Sequence, residues 1–155
     1  MKGLIQRVSR AQVTVDGEVI AGIETGLLLL LGVEQGDTRG VAEALARKIL
    51  GYRVFPDVQG RMNLSVADSG GSLLVVPQFT LVADTGSGTR PGFSRAAPPD
   101  LAKPLVDYFI AVCQEQLGSP RVAEGRFGAS MQVALVNDGP VTFLLKVEPE
   151  GAAAG

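Results

Sequence analysis

Gln78-Phe79-Thr80 sets an amide, an aromatic face and a hydroxyl on three consecutive residues. Pro77, just before them, ends the apolar run Leu73-Leu74-Val75-Val76 with a residue that cannot donate to a strand ladder. The trio could line a polar site, but an ordinary strand end with alternating side chains explains the same residues, and residue types alone favour that reading. A second segment, Asn137-Asp138-Gly139-Pro140, breaks another apolar stretch. An X-Pro bond is where a cis peptide is cheap, and a cis bond would turn two successive carbonyls toward one side as a rigid acceptor pair. A plain turn is the competing reading. A third segment, Gly86-Ser87-Gly88-Thr89-Arg90-Pro91-Gly92, is a glycine-rich loop carrying one cation. Backbone N–H groups of such loops can hold phosphate, which makes Arg90 a candidate RNA contact; a solvated loop arginine is the alternative. No Walker lysine and no G-x-G-x-x-G helix entry is present, so nucleoside triphosphates are not expected.

The chain contains no histidine. A Thr80 nucleophile would therefore need another base within hydrogen-bond reach. Asp84 lies four residues on, about 13 Å away along an extended strand, so Thr80 reads better as a hydrogen-bonding residue. The single cysteine, Cys113, sits in a helical pattern with Phe109, Ile110, Val112 and Leu117 and reads as a buried thiol. Without histidine, and with one cysteine, a zinc site would need mostly carboxylates, and no such cluster is visible; no metal and no cofactor are expected.

The elements that must position these residues follow from periodicity. Leu4–Val8 reads as a first strand. Val13 and Val15 alternate with polar neighbours up to Asp16-Gly17, a two-residue hairpin signal, and Val19 and Ile20 follow it. Gly26–Val33 is a continuous apolar run, as in a strand buried on both faces. Asp37 or Thr38 caps a helix striped by Val41, Leu45 and Ile49 and ending near Gly51. Arg53–Phe55 reads as a short strand and Ser72–Val82 as a long one. Pro98-Pro99-Asp100 opens a second helix with Leu101, Leu105, Phe109 and Val112 inward. Met131–Val136 and Val141–Val147 read as two strands flanking Asp138-Gly139-Pro140. The order gives one α/β domain over residues 1–148, with a mostly antiparallel, barrel-like sheet and two main helices. The small-residue tail, 149–155, is expected to be disordered.

The 155 residues suffice for one substantial core, and 46% hydrophobic content excludes disorder for most of the chain. A formal net charge of −2 does not suit a protein coating duplex DNA, which needs many phosphate contacts, but leaves room for holding an RNA end. Nothing resembles a leader, and Leu27–Leu31 is too short to span a bilayer, so no membrane role and a cytoplasmic location are expected.

Taken together, the segments resemble the D-aminoacyl-tRNA deacylase family, of the D-tyrosyl-tRNA deacylase type. The resemblance runs from Met1-Lys2 to about Val147. It rests on Arg7-Val8-Ser9-Arg10-Ala11, Val13-Thr14-Val15-Asp16-Gly17, Met62-Asn63-Leu64-Ser65, Gln78-Phe79-Thr80-Leu81, Arg90-Pro91-Gly92-Phe93, Phe127-Gly128-Ala129 and Asn137-Asp138-Gly139-Pro140-Val141-Thr142. Two positions depart from the family pattern: Pro77 and Gly92 stand where the family usually has serine.

The resemblance implies hydrolysis of the ester joining a D-amino acid to the tRNA 3′ end, by a homodimer with its active site at the subunit interface. It implies that Gly139-Pro140 is a cis dipeptide reaching into the partner's site, where its carbonyls hold the substrate's α-amino group and leave no room for an L side chain, while glycine passes. Phe79 and Phe127 would pack on the terminal adenine. Gln78 and Thr80, with their backbone N–H groups, would line the ester, and Arg7 would brace the Gly-Pro loop. Three rival readings differ in what they predict. An editing hydrolase for L-amino acids cleaves L-aminoacyl-tRNA, a noncatalytic RNA-end module binds without turnover, and a threonine-nucleophile esterase traps an acyl group on Thr80.

Overall fold

The hairpin signal at Asp16-Gly17 organises the first sheet edge. In the computed structural model, which describes residues 1–151, Asp16 has φ 49° and Gly17 φ 79°, the positive pair that a type I′ turn requires. The turn joins β1 (Lys2–Val15) to β2 (Glu18–Ile23). β1 is a single strand of 14 residues, where the sequence suggested two pieces. One edge carries β3 (Gly26–Gly32) along its first half and β2 along its second.

The Thr38 hydroxyl accepts from the Val41 N–H at 3.2 Å and starts α1 (Arg39–Leu50). Val41, Ala42, Leu45, Ala46 and Ile49 form its buried stripe, and the helix stops at Gly51. A small hairpin follows, β4 (Phe55–Pro56) with β5 (Met62–Leu64), so the short strand begins at Phe55 and takes in Pro56. Ser65 then caps a one-turn helix, α2 (Val66–Ser69), through a reciprocal box with Asp68 that the sequence reading did not register.

β6 (Ser72–Pro77) lies parallel to β3 and stops five residues short of the expected Val82. Pro77 ends the ladder, and the chain tightens into a 3-10 turn over Phe79–Val82. At the other end of this pair, a Cβ on Gly26 would lie 1.9 Å from the Ser72 carbonyl oxygen, so the close approach of the two strands there requires glycine. α3 (Pro99–Leu117) begins at the predicted proline, and Phe109 and Val112 are buried as expected, but in its first turns Ala102 and Val106 are the buried residues, whereas Leu101 is 59% exposed. β7 (Val122–Glu124) pairs parallel to β6, and β8 (Gln132–Lys146) covers the other edge of β1.

The sheet is mixed. β3, β6 and β7 run parallel, while β1 pairs antiparallel with β2, β3 and β8. β2 folds back against β6 and β7, which nearly closes the sheet. Parallel strands must be buried on both faces, and the apolar runs of β3 and β6 meet that demand. Leu27, Leu29, Leu31, Leu73 and Val75 face α1 and α3; Leu28, Leu74 and Val76 face the barrel interior with Val8 and Val13. Within the expected tail, residues 152–155 lie outside the described residues.

Candidate active site

Where β6 ends, Gln78 leaves the ladder. Its backbone N–H donates to the Leu31 carbonyl at 2.8 Å, so that group is committed to the fold and cannot serve a substrate. Its side-chain amide donates to the Thr80 hydroxyl. The backbone N–H groups of Phe79 and Thr80 stand at the start of the 3-10 turn and find no backbone acceptor among the described residues. Phe79 is 63% exposed and makes a tilted pair with Phe93, their ring centroids 5.3 Å apart.

Gln78 and Phe79, but not Thr80, line a cavity of about 430 Å³ walled also by Phe93, Phe127, Ala102 and Val106. Its lining is mostly apolar and contains no ionisable side chain. Gln78, Phe79 and Phe127 thus come together although 49 residues separate Gln78 from Phe127 (127 − 78). Phe93 belongs with them; in the sequence it was part of a motif but had no assigned role, its only signal being a lone aromatic after a Gly- and Pro-rich loop. That loop is closed at its neck by mutual hydrogen bonds between Asp84 and Gly92, at 2.7 and 2.9 Å. Arg90 is exposed within it and does not line the cavity.

The Gly-Pro segment is elsewhere, and its form differs from the expected turn between two strands. β8 runs on both sides of it against the same partner. Asn137 pairs with Val8 and Thr142 with Gln6, so residues 138–141 bulge out of the strand opposite Arg7 alone. The Gly139–Pro140 peptide is cis, and both residues are exposed. The bulge is held from two sides. Asn137 Oδ1 accepts the Val141 N–H at 2.7 Å, and Asn137 Nδ2 donates to the Thr142 hydroxyl at 2.8 Å. Arg7 donates through Nε to the Asp138 carbonyl at 2.9 Å and through a terminal nitrogen to the Val54 carbonyl at 2.7 Å. Arg7 pairs with Leu27, four residues along β3 from the cavity residue Leu31. That spacing is about 13 Å, and neither Gly139 nor Pro140 lines the cavity of its own chain.

Burial pushes the Cys113 thiol up to about 12, which removes it from nucleophilic chemistry near neutral pH. Among the described residues no three His, Cys, Asp or Glu side chains gather as a metal-ligand set. No helix of the structure is long and apolar enough to cross a membrane.

Comparison with known proteins is consistent along the whole chain. The family described as D-Tyr-tRNA(Tyr) deacylase matches residues 4–146. A D-aminoacyl-tRNA deacylase of Marinobacter nauticus is 64% identical over 152 residues, covering 98% of this chain and 97% of that one. The D-aminoacyl-tRNA deacylase of Escherichia coli O7:K1 is 57% identical over 147 residues, covering 95% and 100%. A solved structure described as a c-Myc DNA unwinding element binding protein superposes with a TM-score of 0.93 at 39% identity, covering 96% of this chain and all of that one. A second, described as a probable eukaryotic D-amino acid tRNA deacylase, superposes with a TM-score of 0.81 at 14% identity, covering 94% and 98%, and shares the fold.

Proposed function

The chain belongs to the D-Tyr-tRNA(Tyr) deacylase family, and on that footing we propose that it is a hydrolase cleaving the ester between a D-amino acid and the 3′ end of tRNA, proofreading chirality in the cytoplasm. The observation that carries the mechanism is the cavity that joins Gln78, Phe79 and Phe127, with the uncommitted N–H of Phe79 in its wall and that of Thr80 on the next residue. Aromatic faces suit an unpaired terminal adenine, since RNA ends are read by stacking rather than by a groove helix. An N–H aimed at the developing oxyanion lowers the barrier by about 3 kcal/mol per donor. An aminoacyl ester needs less help than an amide, and no ionisable group lines the cavity. The base is therefore the substrate's own: the ribose 2′-OH beside the ester positions or activates water. Thr80, held by the Gln78 amide, orients the ester and is not the nucleophile.

Stereochemistry is set by a second copy of the chain. The Gly139-Pro140 bulge projects to the surface and is absent from its own cavity, which supports a homodimer in which each bulge enters the partner's site. There its carbonyls hold the α-amino group, and an L side chain would strike the main chain. Exclusion by a clash discriminates more strongly than loss of one contact. Glycine carries no side chain to reject, so glycyl-tRNA(Ala) is cleaved too.

A deacylation time course on tRNA charged with D-Tyr, L-Tyr and Gly tests the reading. D-Tyr and Gly should be released and L-Tyr retained. Preferential release of L-Tyr points to an editing hydrolase of the opposite sense, and binding without turnover to a noncatalytic module. Charged tRNA ending in 2′-deoxyadenosine should be cleaved far more slowly; undiminished cleavage removes the 2′-OH from the mechanism.

A further inference from the structure

Phe127 walls two spaces. Behind it, away from the Phe79 side, lies a groove of about 360 Å³ beside α3, reached by Ile20, Lys103, Asp107, Glu124 and Arg126. Pro77, Val106 and Phe127 line both the groove and the cavity, so the two adjoin at that wall. A nucleoside stacked on Phe127 must send its sugar-phosphate chain out of the cavity, and the groove is the concavity next to that wall.

Four charges face the groove, and they are not equivalent. Lys103 is tied to Asp107, one turn along α3, at 2.8 Å. Glu124 adds a second carboxylate. Arg126 is exposed, and its guanidinium makes no ion pair or hydrogen bond among the described residues. Its position is nonetheless fixed at the root: the neighbouring Gly125 N–H donates to the Val75 carbonyl at 2.8 Å, and the Arg126 N–H to Met131 Sδ at 3.4 Å. A guanidinium is a planar fork that matches two phosphate oxygens at once.

We propose that the groove is the exit track of the RNA acceptor strand, and that Arg126 binds the phosphodiester joining the terminal adenosine to the nucleotide before it. The proposal rests on the deacylase reading and adds a phosphate-binding residue to it. The two carboxylates leave Arg126 as the one unanswered cation in the groove, so the track takes a single phosphate rather than a run of them. That limited footprint is compatible with a chain whose formal net charge is −2.

The test compares D-tyrosyl-tRNA with D-tyrosyl-adenosine, which carries the ester and the base but no phosphodiester. In Arg126→Gln, the ratio of kcat/KM for the tRNA to that for the nucleoside should fall about tenfold, the loss expected for one charge-assisted contact. The log–log salt slope of KM for the tRNA should fall by about 0.7, as expected for one single-strand phosphate contact. Arg126→Lys keeps a point charge and should restore the slope. An unchanged ratio and slope, an equal loss on both substrates, or a lysine variant that behaves like glutamine overturns the assignment. If the unsubstituted protein cleaves neither substrate, the deacylase reading fails and takes this proposal with it; if it cleaves both and only the substitution is silent, the deacylase reading stands and the track alone is refuted.

Discussion

At the residue scale, the proposed chemistry is done by backbone more than by side chains. Thr80 is exposed and hydrogen-bonded to its neighbour Gln78, with no base beside it. Thr80→Ala should therefore keep roughly a tenth or more of the kcat on D-tyrosyl-tRNA, against the millionfold order of loss seen when a true nucleophile is removed. Gly139 tolerates less. Its φ is +144°, and a Cβ there would lie 2.6 Å from Val141 Cγ2 and 2.9 Å from the Val141 nitrogen. Gly139→Ala should destabilise the bulge by about 1–3 kcal/mol and erode the preference for D- over L-tyrosyl-tRNA, read from paired deacylation rates. An unaltered preference would argue that the filter lies elsewhere. Several of these residues could be picked out in advance because glycine, proline and aromatics stand out locally. Their grouping could not. Nothing near Gln78 in the chain announces Phe127, and the use of the Gln78 N–H by Leu31 is a contact between strands.

At the scale of elements, local rules were legible and partners were not. The Asp16-Gly17 turn and the Thr38–Gly51 limits of α1 follow from chemistry within a few residues. The parallel pairing of β3 with β6 brings together strands separated by α1, β4, β5 and α2, so the sequence reading, which weighed neighbours in the chain, underestimated it. The inward face of α3 departs from expectation only in its first turns, which border open space: Ala102 and Val106 line the cavity, and Leu101 and Leu105 line a groove beside Gln35. The Gly-Pro bulge resembles a turn in sequence because its common partner strand is distant in the chain. Asn137 and Val141 look like the mouth of a hairpin until both flanks are seen on β1. Asn137 is the internal strut of that bulge, so Asn137→Ala leaves the Val141 N–H without its acceptor. The cost should be about 1 kcal/mol, a Tm shift of about 3 °C, with a disproportionate loss of deacylation of more than tenfold. Equal losses of stability and activity would reduce Asn137 to ordinary packing.

At the scale of the whole molecule, the two ends of the fold are fastened together. The Met1 ammonium donates to Asp37 Oδ1 and to the Val147 carbonyl, each at 2.8 Å, with Glu34 3.5 Å away. Asp37 also accepts the Glu34 N–H at 2.7 Å. Burial is the main influence on Asp37 and pushes its carboxyl above the ordinary 3.8; the Met1 ammonium and the Glu34 N–H pull the other way without overcoming it. The folded state then holds the proton more tightly than the unfolded chain. The contribution of Asp37 to stability is fullest below its ordinary value and declines as pH rises through the raised one. In Asp37→Asn that dependence is gone. The difference in unfolding free energy, wild type minus variant, should fall in denaturant titrations as pH rises above the ordinary carboxylate value of 3.8. A difference that rises instead would mean that the ammonium contact outweighs burial.

The pairing of β1 with β8 joins the first strand of the described residues to the last. During synthesis, a nascent chain leaves the ribosome with one edge of β1 bare, and that edge stays bare until β8 has been made. Until then Arg7 has no bulge to brace and the barrel has no final stave. On the proposed reading, a chain built this way acquires its stereochemical filter only once β8 has joined β1.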